Sequence, residues 1–263
     1  MSLDFADIDG CRTAFWIEGP HEGPVVVLSN SLSSNLSMWD DQIAPLTRLY
    51  RVLRYDQRGH GQSAVTPAPY SFDLLADDVL RLLRYLDIGP VHFVGLSMGG
   101  MTGQTLAARH PEILKSLVLC DTAAHMPPPE MWDDRIALAR NGGMAATSDA
   151  TLGRWFTAGF HDARPDAIER VRRMIETTPV EGYVGCCMAI REMNQIASLS
   201  RIATPTCVIV GAEDPSTPVA ASRLIHAEIA SSELVVIENA AHLSNIERAD
   251  EFNAALLDFL ARH

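Results

Sequence analysis

The stretch Val94-Gly95-Leu96-Ser97-Met98-Gly99-Gly100 sets one hydroxyl among three glycines. Glycine weakens strand and helix interiors alike, so three of them within seven residues mark a place where the backbone turns sharply or approaches a neighbour closely. Gly95-Leu96-Ser97-Met98-Gly99 fits the pattern Gly-x-Ser-x-Gly, in which a serine sits on a strained strand-to-helix turn that exposes its hydroxyl. The pattern is short enough to arise by chance, and its flanks decide its meaning. The apolar run Val91-His92-Phe93-Val94 precedes it as a strand, and the segment from Thr102 to Arg109 follows with helical character. A serine hydroxyl is a poor nucleophile near neutral pH. It needs a base within hydrogen-bond reach, and that base needs a third group to orient it.

When the serine follows a strand in this way, its partners come later in the order acid, then histidine. Of the nine histidines, only His242, in Glu238-Asn239-Ala240-Ala241-His242, lies in a small-residue loop directly after a late strand. Five of the others have structural explanations: His92 lies within a strand, His110 at a helix end, His226 in a helical stretch, His161 among later helices and His60 in a glycine turn. For the acid, Asp214 in Gly211-Ala212-Glu213-Asp214-Pro215 follows the strand Thr206-Cys207-Val208-Ile209-Val210. That places it at the carboxyl edge of a parallel sheet, where ligands and chemistry collect. Glu213 and Asp121 are rivals, and Asp214 is preferred because its loop carries the motif.

The elements that must hold these groups follow from the rhythm of the chain. Short β-rich runs at about 4–9, 12–18, 24–29, 51–55, 91–96, 116–121, 205–211 and 233–238 alternate with stretches of helical period. Parallel α/β proteins produce that alternation, so the expected fold is α/β with an eight-stranded, mostly parallel sheet flanked by helices. Ser71 is placed to cap a helix whose Phe72, Leu75, Val79, Leu82, Leu83 and Leu86 share one face; a similar stripe of Phe252, Leu256, Phe259 and Leu260 ends the chain. The rhythm stops between 122 and 204, where several short helices are punctuated by Pro127-Pro128-Pro129, Asn141-Gly142-Gly143, Pro165 and Pro179. The expected organisation is one core, 1–121 with 205–263, interrupted by a helical cap over 122–204.

Composition narrows the partners. The chain has 263 residues, 47% of them hydrophobic, enough for a single sizeable core. The balance of 21 Lys+Arg against 33 Asp+Glu gives a net charge of −12, which provides no field to attract nucleic acid or anionic lipid. No apolar run reaches membrane-spanning length, and the first residues lack a basic stretch followed by an apolar one; a cytoplasmic protein is expected. Five cysteines, Cys11, Cys120, Cys186, Cys187 and Cys207, form no metal-binding or disulfide spacing and suit reduced, buried thiols. Monomer and homo-oligomer both remain open.

The ordered blocks Asp56-Gln57-Arg58-Gly59-His60-Gly61-Gln62-Ser63, Gly95-Leu96-Ser97-Met98-Gly99, Gly211-Ala212-Glu213-Asp214 and Ala241-His242 together resemble the α/β-hydrolase family over essentially the whole chain. Within it, Asn30-Ser31-Leu32, Met38-Trp39-Asp40, Gly95 to Met101 and the stretch from Gly182 to Arg191 resemble the 3-oxoadipate enol-lactonases. The resemblance implies a Ser97–Asp214–His242 triad, with Asp56 to Gly59 as scaffold. It further implies hydrolysis of a small anionic enol-lactone to 3-oxoadipate, in bacterial aromatic catabolism, without cofactor or metal. One block departs from the family pattern. Asn30-Ser31-Leu32 stands where His-Gly-hydrophobic is usual. An oxyanion hole needs only backbone N–H groups, so Leu32 and Met98 can still supply it, and Ser31 gains a hydroxyl that can meet substrate.

A substrate carboxylate calls for an arginine, whose fork matches it with two parallel hydrogen bonds. The cap offers Arg135, Arg140, Arg154 and Arg191, with Trp132 and Trp155 as walls; Arg135 and Arg191 are the selected candidates. The same triad would serve a general carboxylesterase, a perhydrolase or a carbon–carbon hydrolase. A non-catalytic binding protein of this fold would need no triad, and a dehalogenase would carry aspartate at position 97.

Overall fold

In the computed structural model, which describes residues 3–263, eight strands form one sheet: β1 (Asp4–Ile8), β2 (Cys11–Glu18), β3 (Val25–Ser29), β4 (Arg51–Tyr55), β5 (Val91–Leu96), β6 (Leu114–Cys120), β7 (Thr206–Gly211) and β8 (Ser232–Ile237). Their spatial order is β1-β2-β4-β3-β5-β6-β7-β8. β1 and β2 pair antiparallel, as do β2 and β4, and every later pairing is parallel. The strand positions match expectation within two residues. The largest shift is at β6, which begins at Leu114 rather than 116. Lys115 and Ser116 break the apolar run there, although Ser116 is buried and its hydroxyl meets His92 Nδ1 at 2.8 Å.

The central strands are apolar on both faces because helices cover both. On one face Val26, Leu28, Val94, Leu96, Val118 and Ile209 join a cluster that continues into the later helices. On the other, Val27, Phe93, Leu117, Leu119 and Val208 pack against helices of the core. Burial on both sides is why these strands read as continuous apolar runs and not as alternating ones.

Among the described residues there are also twelve α-helices. In the first half lie α1 (Asp40–Leu46), α2 (Phe72–Tyr85) and α3 (Met98–Arg109). The Ser71 hydroxyl caps α2 by accepting from the Leu74 N–H, and Phe72, Leu75, Val79, Leu82 and Leu83 are its buried face. Between β6 and β7 run α4 (Pro129–Gly142), α5 (Ala145–Trp155), α6 (Ala158–Ala163), α7 (Pro165–Glu176), α8 (Val180–Glu192) and α9 (Ile196–Leu199). After β7 come α10 (Val219–Glu228), α11 (Ser244–Glu247) and α12 (Ala249–Leu260). Among the described residues no helix is long and apolar enough to cross a membrane. All five cysteines are buried and unbonded.

Candidate active site

Ser97 stands between the last residue of β5 and the first of α3, with φ 55° and ψ −113°. A non-glycine residue in that region is strained by about 1–3 kcal/mol and persists only where its surroundings hold it. Here they do. The Ser97 N–H donates to the Cys120 carbonyl at 2.8 Å, and the Ser97 carbonyl accepts the Met101 N–H at 2.9 Å. The flanking glycines are required by close approach. A Cβ on Gly95 would lie 2.2 Å from the Gly99 carbonyl oxygen, and one on Gly99 would lie 2.1 Å from that of Ser29.

The carboxyl ends of β7 and β8 bring the other two groups together. His242, in the loop between β8 and α11, has its Nδ1 2.8 Å from Asp214 Oδ2. A carboxylate only accepts, so Nδ1 carries the proton and Nε2 is left as the basic nitrogen. Asp214 is held by the turn that follows it. Its Oδ1 accepts from the Ser216 and Thr217 N–H groups, and its Oδ2 accepts from Thr217 Oγ1 at 2.6 Å. Burial pushes this carboxyl up, but the charge of His242 and the bonds from His242 and Thr217 outweigh it and leave Asp214 below the ordinary carboxylate range. The role of Thr217 was missed in the sequence. Asp-Pro-Ser-Thr is nonetheless a legible signal, since aspartate accepts from backbone two and three residues on in such turns.

The two rival acids lie elsewhere. Glu213 is exposed. Asp121 is fully buried, but its Oδ1 accepts from Gly211 N–H and its Oδ2 meets Ser244 Oγ at 2.5 Å. Burial and then the neighbouring Asp214 charge push Asp121 well above the ordinary range.

The loop after β3 is fixed from several sides. Asn30 Nδ2 donates to the Tyr55 carbonyl, its Oδ1 accepts from Trp39 Nε1 at 3.0 Å, and its carbonyl accepts from Gln57 Nε2. Asn30 and Trp39 therefore work as a pair, and the loop's left-handed residue is Ser33 (φ 62°). Ser31 Oγ is buried, has no hydrogen-bond partner among the described residues and borders the cavity described below. The Asp56 turn acts on the same loop, its carboxylate accepting from the Leu36 and Gln62 N–H groups while Arg58 grips Asp78 of α2 with two nitrogens.

His60 contributes a less obvious support. Its Nε2 accepts from the Ser33 N–H at 3.1 Å, and burial holds its pKa down to about 4. The folded imidazole stays neutral while the unfolded one takes a proton below its ordinary 6.5, so this contribution is whole above pH 6.5 and is lost as pH falls to 4. Asp56, pushed up to about 6 by burial, runs the opposite way, so the total acid slope is not diagnostic. The difference between wild type and His60→Gln isolates the histidine. By urea unfolding, the wild-type advantage is expected to shrink by about 3 kcal/mol between pH 7 and pH 4. A difference that stays constant across that range removes the neutral-imidazole assignment.

Ser97, His242, Ser31 and Leu32 share a cleft of about 490 Å³, mouth included, with residues of the cap helices. α4 supplies Trp132 and Arg135, α5 supplies Thr151, Arg154 and Trp155, and α8 supplies Tyr183 and Ile190. Spacings of three, four and seven put each set on one helix face. The Trp155 ring lies 6.1 Å from that of His242, and the Arg135 guanidinium lies 4.6 Å over Trp132. No hydrogen bond joins Ser97 Oγ to the imidazole among the described residues; such bonds are often long in free enzymes and tighten around substrate.

The four cap arginines divide in two. Arg191, one of the selected candidates, lies outside the cleft, its guanidinium held by Asp133 at 2.5 Å and Glu192 at 2.9 Å. Arg140 pairs with Glu181 at the surface. Arg135 and Arg154 border the cleft, and among the described residues neither meets a carboxylate. Burial first, and then the charge of Arg135, holds the Arg154 pKa below its ordinary value. Of the two selected candidates Arg135 therefore reaches the cleft and Arg191 does not, while Arg154, also offered by the sequence, does.

A hydroxyl on a strained turn, an imidazole oriented by a carboxylate, and backbone N–H groups beside them can carry out acyl transfer. Residues 24–249 match the family model described as alpha/beta hydrolase fold, and the chain belongs to the α/β-hydrolase family. The class of enzyme is thus a hydrolase. The chain is 40% identical over 238 residues to 3-oxoadipate enol-lactonase 2 of Acinetobacter baylyi, covering 90% of this chain and 89% of that protein. The crystal structure of the enol-lactonase from Burkholderia xenovorans LB400 superposes with a TM-score of 0.96 at 41% identity, over 98% of this chain and 100% of that one. A putative carbamate hydrolase of Stutzerimonas stutzeri is 31% identical over 245 residues, covering 91% of this chain and 92% of that protein.

Proposed function

We propose that the protein opens 3-oxoadipate enol-lactone, a small anionic lactone, to 3-oxoadipate through an acyl-enzyme. Ser97 Oγ attacks the lactone carbonyl as His242 Nε2 takes its proton, and Asp214 steadies the imidazolium that forms. The developing oxyanion is met by the N–H groups of Leu32 and Met98, each worth about 3 kcal/mol in the transition state. The departing enolate is resonance-stabilised; it takes the serine's proton from the His242 imidazolium and stays tethered to the acyl chain as the enol, which leaves the imidazole neutral again. Water then repeats the attack on the acyl-enzyme, with His242 again as base, and the released enol relaxes to the ketone. Ser31, Trp132, Arg135, Arg154 and Trp155 form the substrate wall.

The observation that carries this reading is the pair of unpaired arginines, Arg135 and Arg154, in the cleft that holds Ser97 and His242. Arg154, partly desolvated beside the like charge of Arg135 and without a counter-ion among the described residues, is costly to hold there, and a substrate carboxylate supplies the missing charge. A neutral ester would not. The relatives named enol-lactonase support the same substrate class. The test compares kcat/KM on the enol-lactone with p-nitrophenyl acetate and a small carbamate. A preference of about 100-fold or more for the anionic lactone is expected, since a carboxylate–arginine contact is worth about 2–4 kcal/mol. A chain that turns over the neutral ester or the carbamate faster is not an enol-lactonase.

A further inference from the structure

Thr122 is the second residue beyond β6 and is fully buried. Its hydroxyl donates to the Ser97 carbonyl at 2.7 Å, across 25 residues of sequence. That carbonyl and the Met98 N–H belong to one planar peptide group, so what fixes the oxygen also fixes the direction of the N–H. A hydrogen bond accepted by the oxygen draws electron density towards it and makes the N–H on the far side a stronger donor. The Met101 N–H, which also reaches this carbonyl, is the ordinary bond of a first helical turn. The Thr122 hydroxyl is an addition to it, delivered from the loop that follows β6.

The surroundings keep room for that addition. A Cβ on Gly100 would lie 2.8 Å from the Cβ, Cγ2 and Oγ1 of Thr122. Gly100 is the one glycine of Ser97-Met98-Gly99-Gly100 that the Gly-x-Ser-x-Gly pattern does not require, and the Thr122 side chain accounts for it. The peptide so held begins at a residue with φ 55°, where nothing local favours the conformation.

We propose that Thr122 is a positioning residue for acyl transfer: through the Ser97 carbonyl, its hydroxyl aims and polarises the Met98 N–H that meets the developing oxyanion. This rests on Ser97 being the nucleophile, and not on which ester is the natural substrate.

A buried hydroxyl that served only to satisfy itself would alter stability when lost and leave the rate constants alone. The test is therefore kinetic. Thr122→Val keeps the shape and removes the donor; Thr122→Ser keeps the donor. With p-nitrophenyl acetate, Thr122→Val is expected to lower kcat about tenfold, a fraction of the loss seen when a whole oxyanion donor is removed, with KM within twofold of wild type. Thr122→Ser is expected to stay within threefold of wild type. Affinity for phenylboronic acid, whose tetrahedral adduct with Ser97 presents an oxygen to the same donors, is expected to weaken about tenfold in step with kcat. A Thr122→Val kcat within twofold of wild type overturns the proposal. So does a loss that serine fails to restore, or one that leaves boronate affinity unchanged. Should valine give no folded protein, Thr122→Ala against Thr122→Ser asks the same question, and equal kcat values in the two overturn it. The nucleophile assignment fails separately, through an active Ser97→Ala enzyme.

Discussion

Ser97→Ala is expected to lower kcat by about 10⁴- to 10⁶-fold while leaving the fold and the binding of a product-like acid intact. The size of the loss follows from the chemistry, because without the hydroxyl there is no acyl-enzyme and only water positioned by His242 remains. Retention of the fold follows from the structure. The Ser97 side chain makes no hydrogen bond among the described residues, and the bonds that hold its strained backbone go through its N–H and carbonyl. Alanine bears the same φ penalty as serine, so the thermal midpoint should move little. The measurements are steady-state turnover on enol-lactone, a thermal melt, and titration with a short keto acid. Turnover within tenfold of wild type would sink Ser97 as the nucleophile.

How much of this could be seen in the sequence depends on whether a residue's task is local. The central strands declared themselves because both faces are buried, and α2 did so because its cap at Ser71 and its apolar stripe agree. Ser97, Asp214 and His242 were legible as loop residues that follow strands, since a parallel sheet delivers the ends of its strands to one edge. The contact of His242 Nδ1 with Asp214 is set by the fold and by no local pattern. Asp121 follows β6 at that same edge; the motif favours Asp214 over it, and the directions of its oxygens, towards Gly211 and Ser244, set the two apart in space. The arginines show the limit more sharply. Arg154 and Arg191 both sit on cap helices, and helical period says which residues share a face without saying what that face meets. Arg191 is engaged by Asp133, 58 residues away on α4, a pairing that no local pattern encodes. Thr122 and His60 likewise act on backbone groups distant in sequence, the Ser97 carbonyl and the Ser33 N–H.

Arg135→Ala and Arg154→Ala are each expected to lower kcat/KM for the anionic lactone by about 30- to 1,000-fold, corresponding to about 2–4 kcal/mol for an anion left unpaired in a partly dry cleft. A neutral lactone of similar size should change by less than threefold, because the triad and the oxyanion donors are untouched. Arg140→Ala and Arg191→Ala serve as controls. Their guanidiniums are already paired with Glu181 and with Asp133 and Glu192, outside the cleft, so neither substrate should notice their loss. The two active arginines should not act independently. Arg135 already disfavours the charge on Arg154, and removing either relieves the other, so the double variant should lose less than the sum of the two single losses. The same repulsion predicts a sign for stability: in the free enzyme Arg154→Ala should melt no lower than wild type, because it discards a partly buried charge that meets no carboxylate among the described residues, whereas Arg135→Ala also gives up its stacking on Trp132. A short keto acid should then raise the melting temperature of wild type more than that of either variant, since only wild type completes the charge pairing on binding. If all four alanine variants treat the anionic and neutral lactones alike, the carboxylate is not held by a cap arginine. The unpartnered Ser31 hydroxyl then becomes the group to replace next.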